Sequence, residues 1–160
     1  MNPAQIHLAT THAPVLGTVF ALGLLLLAIL RKSEELKRVA LLGFVVAALL
    51  ALPAYLTGAP ASEVLRQFTP GMTTDASDQH AESAILAFAG SLVLGVVALA
   101  GLIHFRKGRK LPAIFLGFVL LLAMVACGLL GWTANLGGKI RHLEIGRQSS
   151  TSPAPLKQLS

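Results

Sequence analysis

Charge is scarce in this chain. Asp, Glu, Lys and Arg make up 12% of its residues, where soluble domains carry about a quarter. So few charges cannot cover a water-facing surface, which excludes a free-standing soluble globule. There is one cysteine, Cys127, so no disulfide can form within the chain and the redox compartment is not readable from thiols. Cys127 lies inside an apolar run and reads as a small packing residue. A Cys-x-x-Cys-His haem attachment, a glycine-rich phosphate loop, a zincin helix and a serine elbow are all missing, so nothing in the text announces catalysis. No ionisable residue falls near the middle of an apolar run, which argues against a coupled transporter.

What the chain has instead is apolar length. Four runs, Val15–Leu30, Val39–Leu56, Ala84–Ile103 and Leu111–Trp132, each approach the roughly 17–25 residues that cross a hydrocarbon core as a helix. The expected fold is all-α: an integral-membrane four-helix bundle of two antiparallel hairpins. Its spans are expected at about 13–31, 39–57, 82–104 and 111–136, within a membrane domain of residues 1–146. No Lys or Arg precedes the first run, and Arg31 and Lys32 follow it in place of a cleavage site, so it reads as a retained span rather than a signal peptide.

The net charge of +6 would suit nucleic acid if it were spread out, but it is not. Eight of the thirteen basic residues fall in two short connections, RKSEELKR (31–38) and FRKGRK (105–110). Juxtamembrane Lys and Arg mark the cytoplasmic side, so both hairpins are expected inside and both termini outside. Glu63, Asp75, Asp78, Glu82 and Glu144, five of the seven acidic residues, then lie outside too.

Helix 1 has two readings. Pro3 suits a first helical position, which would make Pro14 internal and bend the helix; alternatively a short interfacial helix precedes a fresh start near Pro14. Helix 2 is expected to stop within Leu52–Gly58, where Pro53 and Gly58 favour termination. A connection over 57–82 would follow, with ASEVLRQF (61–68) lying on the membrane surface. Helix 3 is expected to start near Ser77–Asp78, with Asp75, Asp78 and Glu82 at the positive end of its dipole. Helix 4 should stop at Gly137-Gly138, leaving 147–160 as a disordered polar tail. Gly17, Gly43, Gly90, Gly95, Gly101, Gly117, Gly128 and Gly131 are expected at helix contacts, since lipid gives helices no hydrophobic reason to associate.

A weak internal symmetry is visible. Each half opens outside with a histidine, turns at a basic hairpin and returns to an aromatic followed by Thr and Gly: Tyr55-Leu56-Thr57-Gly58 and Trp132-Thr133 through Gly137. Such a repeat would be parallel, about an axis along the membrane normal.

Topology gathers four of the five histidines on the outer face: His7, His12, His80 and His142. His104 alone is inside and reads as an interfacial polar residue. Neutral imidazole is a common metal ligand and the usual axial ligand of b-type haem, and a bundle core suits either cofactor. On a continuous helix His7 and His12 are about 140° apart at 100° per residue, so they do not face one point. His12, nearer the apolar core, is the better inward candidate, with His80 as its partner and His7 and His142 as supports or a second pair. Arg66, Lys139 and Arg141 could meet haem propionates or other anions, and Glu82 could ligate a bare metal or orient His80.

The pattern His7-x4-His12-Ala13-Pro14, with Thr57-Gly58 closing the second span, His80 opening the third and Leu136-Gly137-Gly138-Lys139-Ile140 after the fourth, resembles a bacterial membrane family called domain of unknown function 2231. The likeness covers roughly residues 6–145. It departs at Leu8, where the family commonly has proline. The resemblance implies four spans and redox association: related domains are similar to small membrane cytochromes, and some are fused to Rieske iron–sulfur domains.

Together these features point to an inner-membrane protein that holds haem b or a metal ion (zinc, copper or iron) through outer-face histidines and takes part in electron transfer. It would be a carrier or accessory subunit rather than an enzyme. Its partners would be the lipid bilayer and a periplasmic or membrane redox protein, with no nucleic acid, in a homo-oligomer or a larger complex. The rival reading is a structural membrane subunit with interfacial histidines and no cofactor; a third is periplasmic-side zinc or copper binding without redox work. The charge distribution makes a direct prediction. Alkaline phosphatase fused to the C-terminus should be active, and a fluorescent protein there should stay dark. The opposite pattern would place the basic hairpins outside.

Overall fold

The computed structural model describes the backbone of residues 3–68, 74–106 and 109–151, and the side chains of residues 6–63, 78–106 and 109–138. It contains four α-helices and, among the described residues, no strand: α1 (Pro3–Leu30), α2 (Glu34–Phe68), α3 (Thr74–His104) and α4 (Ala113–Thr151). Each contains a stretch long and apolar enough to cross a membrane: Ile6–Leu30, Glu34–Glu63, Asp78–His104 and Ala113–Gly138. The protein is a multi-pass membrane protein built as an all-α bundle of two antiparallel hairpins. Its outer surface is the apolar one. Phe20 and Ile114 are 74% and 87% exposed, as suits side chains that meet lipid.

α1, α2 and α3 begin earlier than their apolar runs, and α2 and α4 continue well beyond theirs. α1 is continuous, with Pro14 buried inside it. α2 continues through Pro53, Gly58 and Pro60, so residues 61–68 are its last turns and not a separate surface helix. The connection expected over 57–82 reduces to residues 69–73, outside the described residues, because α3 starts at Thr74. α4 passes Gly137-Gly138 and reaches Thr151, taking in the first residues of the expected tail; residues 152–160 lie outside the described residues.

A proline removes a single backbone donor, whereas ending a helix in lipid would leave several backbone groups unpaired. α2 therefore runs on through Pro53 and Pro60. At 35 residues, α2 is about 52 Å long at 1.5 Å per residue, well beyond a hydrocarbon core of about 30 Å.

Each helix packs on its chain neighbours, and α4 closes back on α1; among the described residues the diagonal pairs α1–α3 and α2–α4 make no close backbone approach. The inner faces follow a heptad. On α1 they are Pro14, Thr18, Ala21, Leu25 and Ala28, and on α3 Ala87, Ser91, Leu94, Ala98 and Gly101. Many of these residues are small, which lets backbones approach and gain dispersion contacts where burial from lipid gives little. Gly17 lies against Ala47, Gly43 against Ala21, Gly95 against Ala48, Gly90 against Leu129 and Gly101 against the Phe115 ring. Gly117, Gly128 and Gly131 differ from expectation. They are exposed, with nothing within 4 Å of a Cβ placed there, because α4 turns other residues inward: Leu116, Val119, Ala123, Ala126 and Leu130.

The two basic hairpins meet at one end of the bundle. α1 ends with Ser33 N–H donating to the Ala28 carbonyl and Lys32 N–H to that of Ile29, a double closure that requires the left-handed φ of 53° at Lys32. Ser33 then caps α2, its Oγ accepting from Leu36 N–H. Glu34 pairs with Lys37 at 2.6 Å and accepts Leu111 N–H at 3.0 Å. The Arg38 guanidinium donates to the carbonyls of Phe105 and Arg109.

The glycine contacts predict opposite outcomes on two helices. Gly95→Ala would drive a methyl into Ala48 and should lower stability in detergent by about 1–3 kcal/mol, the usual range for overpacking. Gly128→Ala, facing outward, should be neutral or gain up to about 1 kcal/mol from helix propensity. Reversible denaturation titrations of the two variants measure the difference.

Candidate histidine site

The heptads that line the bundle begin with histidines. His7 lies seven residues before Pro14 on α1, and His80 seven before Ala87 on α3, so both imidazoles fall on the inner faces at the end opposite the basic hairpins. Both are half-buried. They stand on diagonal helices.

Each ring is held in the same way. His7 Nδ1 lies 2.9 Å from the Ala54 carbonyl on α2, and His80 Nδ1 lies 3.1 Å from the Thr133 carbonyl on α4. A carbonyl can only accept, so both Nδ1 atoms carry the proton and donate. In the neutral ring this leaves Nε2 with its lone pair, and among the described residues no hydrogen bond engages either Nε2. Four residues beyond each accepting carbonyl is a glycine against the ring: a Cβ at Gly58 would meet His7 Cε1 at 3.5 Å, and one at Gly137 would meet His80 Cε1 at 3.2 Å. Here glycine serves close approach, not helix termination as expected from sequence.

The two hairpins therefore carry one device twice. Gly17 and Gly90 stand ten residues after the two histidines. Thr18 and Ser91 follow them, each hydroxyl donating to the carbonyl four residues back, of Pro14 and Ala87. One difference marks the first copy: Thr57 Oγ1, whose proton goes to Pro53, offers His7 Nδ1 a second acceptor at 3.2 Å. Between the copies, the Tyr55 ring stacks on Phe88, with centroids 4.4 Å apart and planes 9° from parallel, tying α2 to α3 at this end.

The other expected site residues fall elsewhere. His12 is exposed, and its Nδ1 bonds the Leu8 carbonyl of its own helix at 3.2 Å. His7 therefore takes the inward place assigned to His12 in the pairing with His80. Depth misled that expectation, whereas the spacing 7, 14, 21, 28 down a row that carries Pro14, Ala21 and Ala28 was a usable sign of the inner face. Glu82 is exposed, since two residues along a helix is about 200° of rotation, away from the face that His80 occupies. His104 lies at the hairpin end, exposed, with its ring edge-on to Phe105. The side chains of Arg66, Lys139, Arg141 and His142 lie outside the described residues, as do those of Asp75 and Glu144. Among the described residues no three His, Cys, Asp or Glu side chains converge as a metal set.

Compared with known protein families, curated proteins and solved structures, the chain matches none. The family resemblance rests on its short motifs.

The geometry sets a spectroscopic expectation. In neutral detergent solution, ¹⁵N spectra of histidine-labelled protein should show His7 and His80 in the Nδ1–H tautomer, while a chain with both in the commoner Nε2–H form would contradict the carbonyl bonds. Gly137→Ala should displace the His80 resonance more than Gly58→Ala displaces that of His7, because its added methyl is the tighter of the two.

Proposed function

We propose that His7 and His80 together hold a haem b iron or another transition-metal ion, and that the protein serves electron transfer in a bacterial inner membrane. One observation carries this reading: the duplicated imidazole seat, in which Nδ1–H of each ring is anchored to a carbonyl and Nε2 is left over. Ligating histidines commonly donate their second nitrogen to a carbonyl, which fixes tautomer and orientation and raises the basicity of the ligating nitrogen.

The residues fit haem better than bare zinc. A structural zinc site wants four protein ligands and a catalytic one three, and no such set forms among the described residues. An iron that brought its own porphyrin nitrogens would need only two imidazoles from the chain. Haem would supply one-electron chemistry. The chain's part is to orient the two rings, hold each on its Nδ1–H tautomer and keep α1 and α3 apart through the intervening helices. Arg66, Lys139 and Arg141 remain the candidates for propionate contacts, with His142 as a supporting ligand. The positive-inside rule puts this end on the periplasmic side, where a periplasmic or membrane redox protein would exchange electrons with it.

The rival is a purely structural use of the same bonds, since each already clasps one helix to the next. The test is to purify the protein from a haem-replete host in mild detergent, record oxidised and dithionite-reduced spectra, and assay metals on the same sample. A sharp reduced α-band, lost in His7→Ala and His80→Ala but kept in His12→Ala, is the expected result. Zinc or copper without the band would replace haem by a bare metal. Colourless, metal-free protein would leave only the clasp.

A further inference from the structure

The opposite end of the bundle carries a second feature, independent of the histidines. The two hairpins contain eight basic and two acidic residues, which accounts for the whole net charge of +6; the remainder of the chain balances five basic residues against five acidic ones. The positive-inside rule would be met by two separate basic loops. Here they are joined. Arg38 ties the Phe105 and Arg109 carbonyls to the start of α2, and Glu34 accepts Leu111 N–H. The clamp spends one arginine side chain and only the backbone of Arg109. Arg31, Lys32, Arg106, Arg109 and Lys110 stay exposed around it. Lys32 also holds a left-handed conformation that glycine adopts more easily, so a charge stands where backbone economy would put none. On the adjacent helices that flank the second hairpin, the end of α3 and the start of α4 expose the apolar side chains of Ile103 and Ile114.

We propose that the α3–α4 side of this joined surface is a binding site for an anionic phospholipid, its phosphate held among the exposed Arg106, Arg109 and Lys110 and its acyl chains against Ile103 and Ile114. The apolar rim favours a lipid over an acidic loop of a soluble protein, because an irregular segment at that depth would leave backbone groups unpaired in hydrocarbon. Long basic side chains with their stems on apolar surface and their heads at the interface suit this placement. Each Lys or Arg near an anionic leaflet contributes about a fivefold gain in affinity, so a cluster is far stronger than one charge.

The test uses the full chain in neutral detergent, following thermal unfolding while phosphatidylglycerol, phosphatidylcholine or inorganic phosphate is titrated. Phosphatidylglycerol should stabilise the protein, with phosphatidylcholine and inorganic phosphate giving little. The triple variant Arg106→Gln, Arg109→Gln, Lys110→Gln leaves the backbone clamp in place and should weaken phosphatidylglycerol binding by about a hundredfold. Arg147→Gln with Lys157→Gln should respond like the parent. Equal stabilisation by phosphatidylcholine, an undiminished response in the triple variant, or full reproduction of the effect by inorganic phosphate would each overturn the lipid site. None of these readouts depends on a cofactor at His7 and His80.

Discussion

Close approach between helices is the constraint on which this molecule depends. In lipid, an apolar side chain gains nothing by moving from acyl chains to another helix, so association must come from dispersion contacts at short range. The chain meets this with small residues repeated every seven positions, facing Ala and Gly on the next helix. Many large residues face outward, with Phe20 and Ile114 among the most exposed, while Leu25, Phe44 and Leu94 fill the space between the helices. The same spacing that packs the middle of the bundle also carries His7 and His80 inward at its end. The imidazole seats are therefore the last step of the packing rows, and Gly58 and Gly137 do for a ring what Gly17 and Gly95 do for a methyl group.

The duplication has a physical consequence. The two similar hairpins, packed side by side, put corresponding residues on diagonal helices. His7 and His80 belong to helices whose backbones do not approach, yet each ring is steadied by the adjacent helix of its own hairpin. The two rings are thus steadied independently of each other. The copies are not identical: Thr57 gives His7 a second acceptor.

The two ends of the bundle divide their work by charge. One end holds the histidines amid balanced charge; the other carries the excess of basic residues. The helix ends there are closed by backbone and side-chain bonds that join the hairpins, with Arg38 and Glu34 each bridging α2 to the connection after α3. Such bridges exploit the orphan carbonyls and N–H groups that every helix end leaves.

By itself the sequence determined the class of the protein: scarce charge and four long apolar runs leave a helical membrane bundle as the only way to satisfy the backbone in lipid. The short basic connections likewise determined that helices pair as antiparallel hairpins, with four histidines at one end. Other decisions belonged to the tertiary structure. Pro53, Gly58 and the Gly137-Gly138 pair are breakers in isolation, but ending a helix in lipid costs more backbone bonds than passing through them, and Gly58 and Gly137 each pack against an imidazole, so α2 and α4 run on. Which histidine turns inward depends on the rotation of α1 about its axis, and the packing of Ala21 on Gly43 and Gly17 on Ala47 sets that rotation. Counting depth along the chain favoured His12. The packed face chose His7, because a helix presents its inner row as its neighbours dictate.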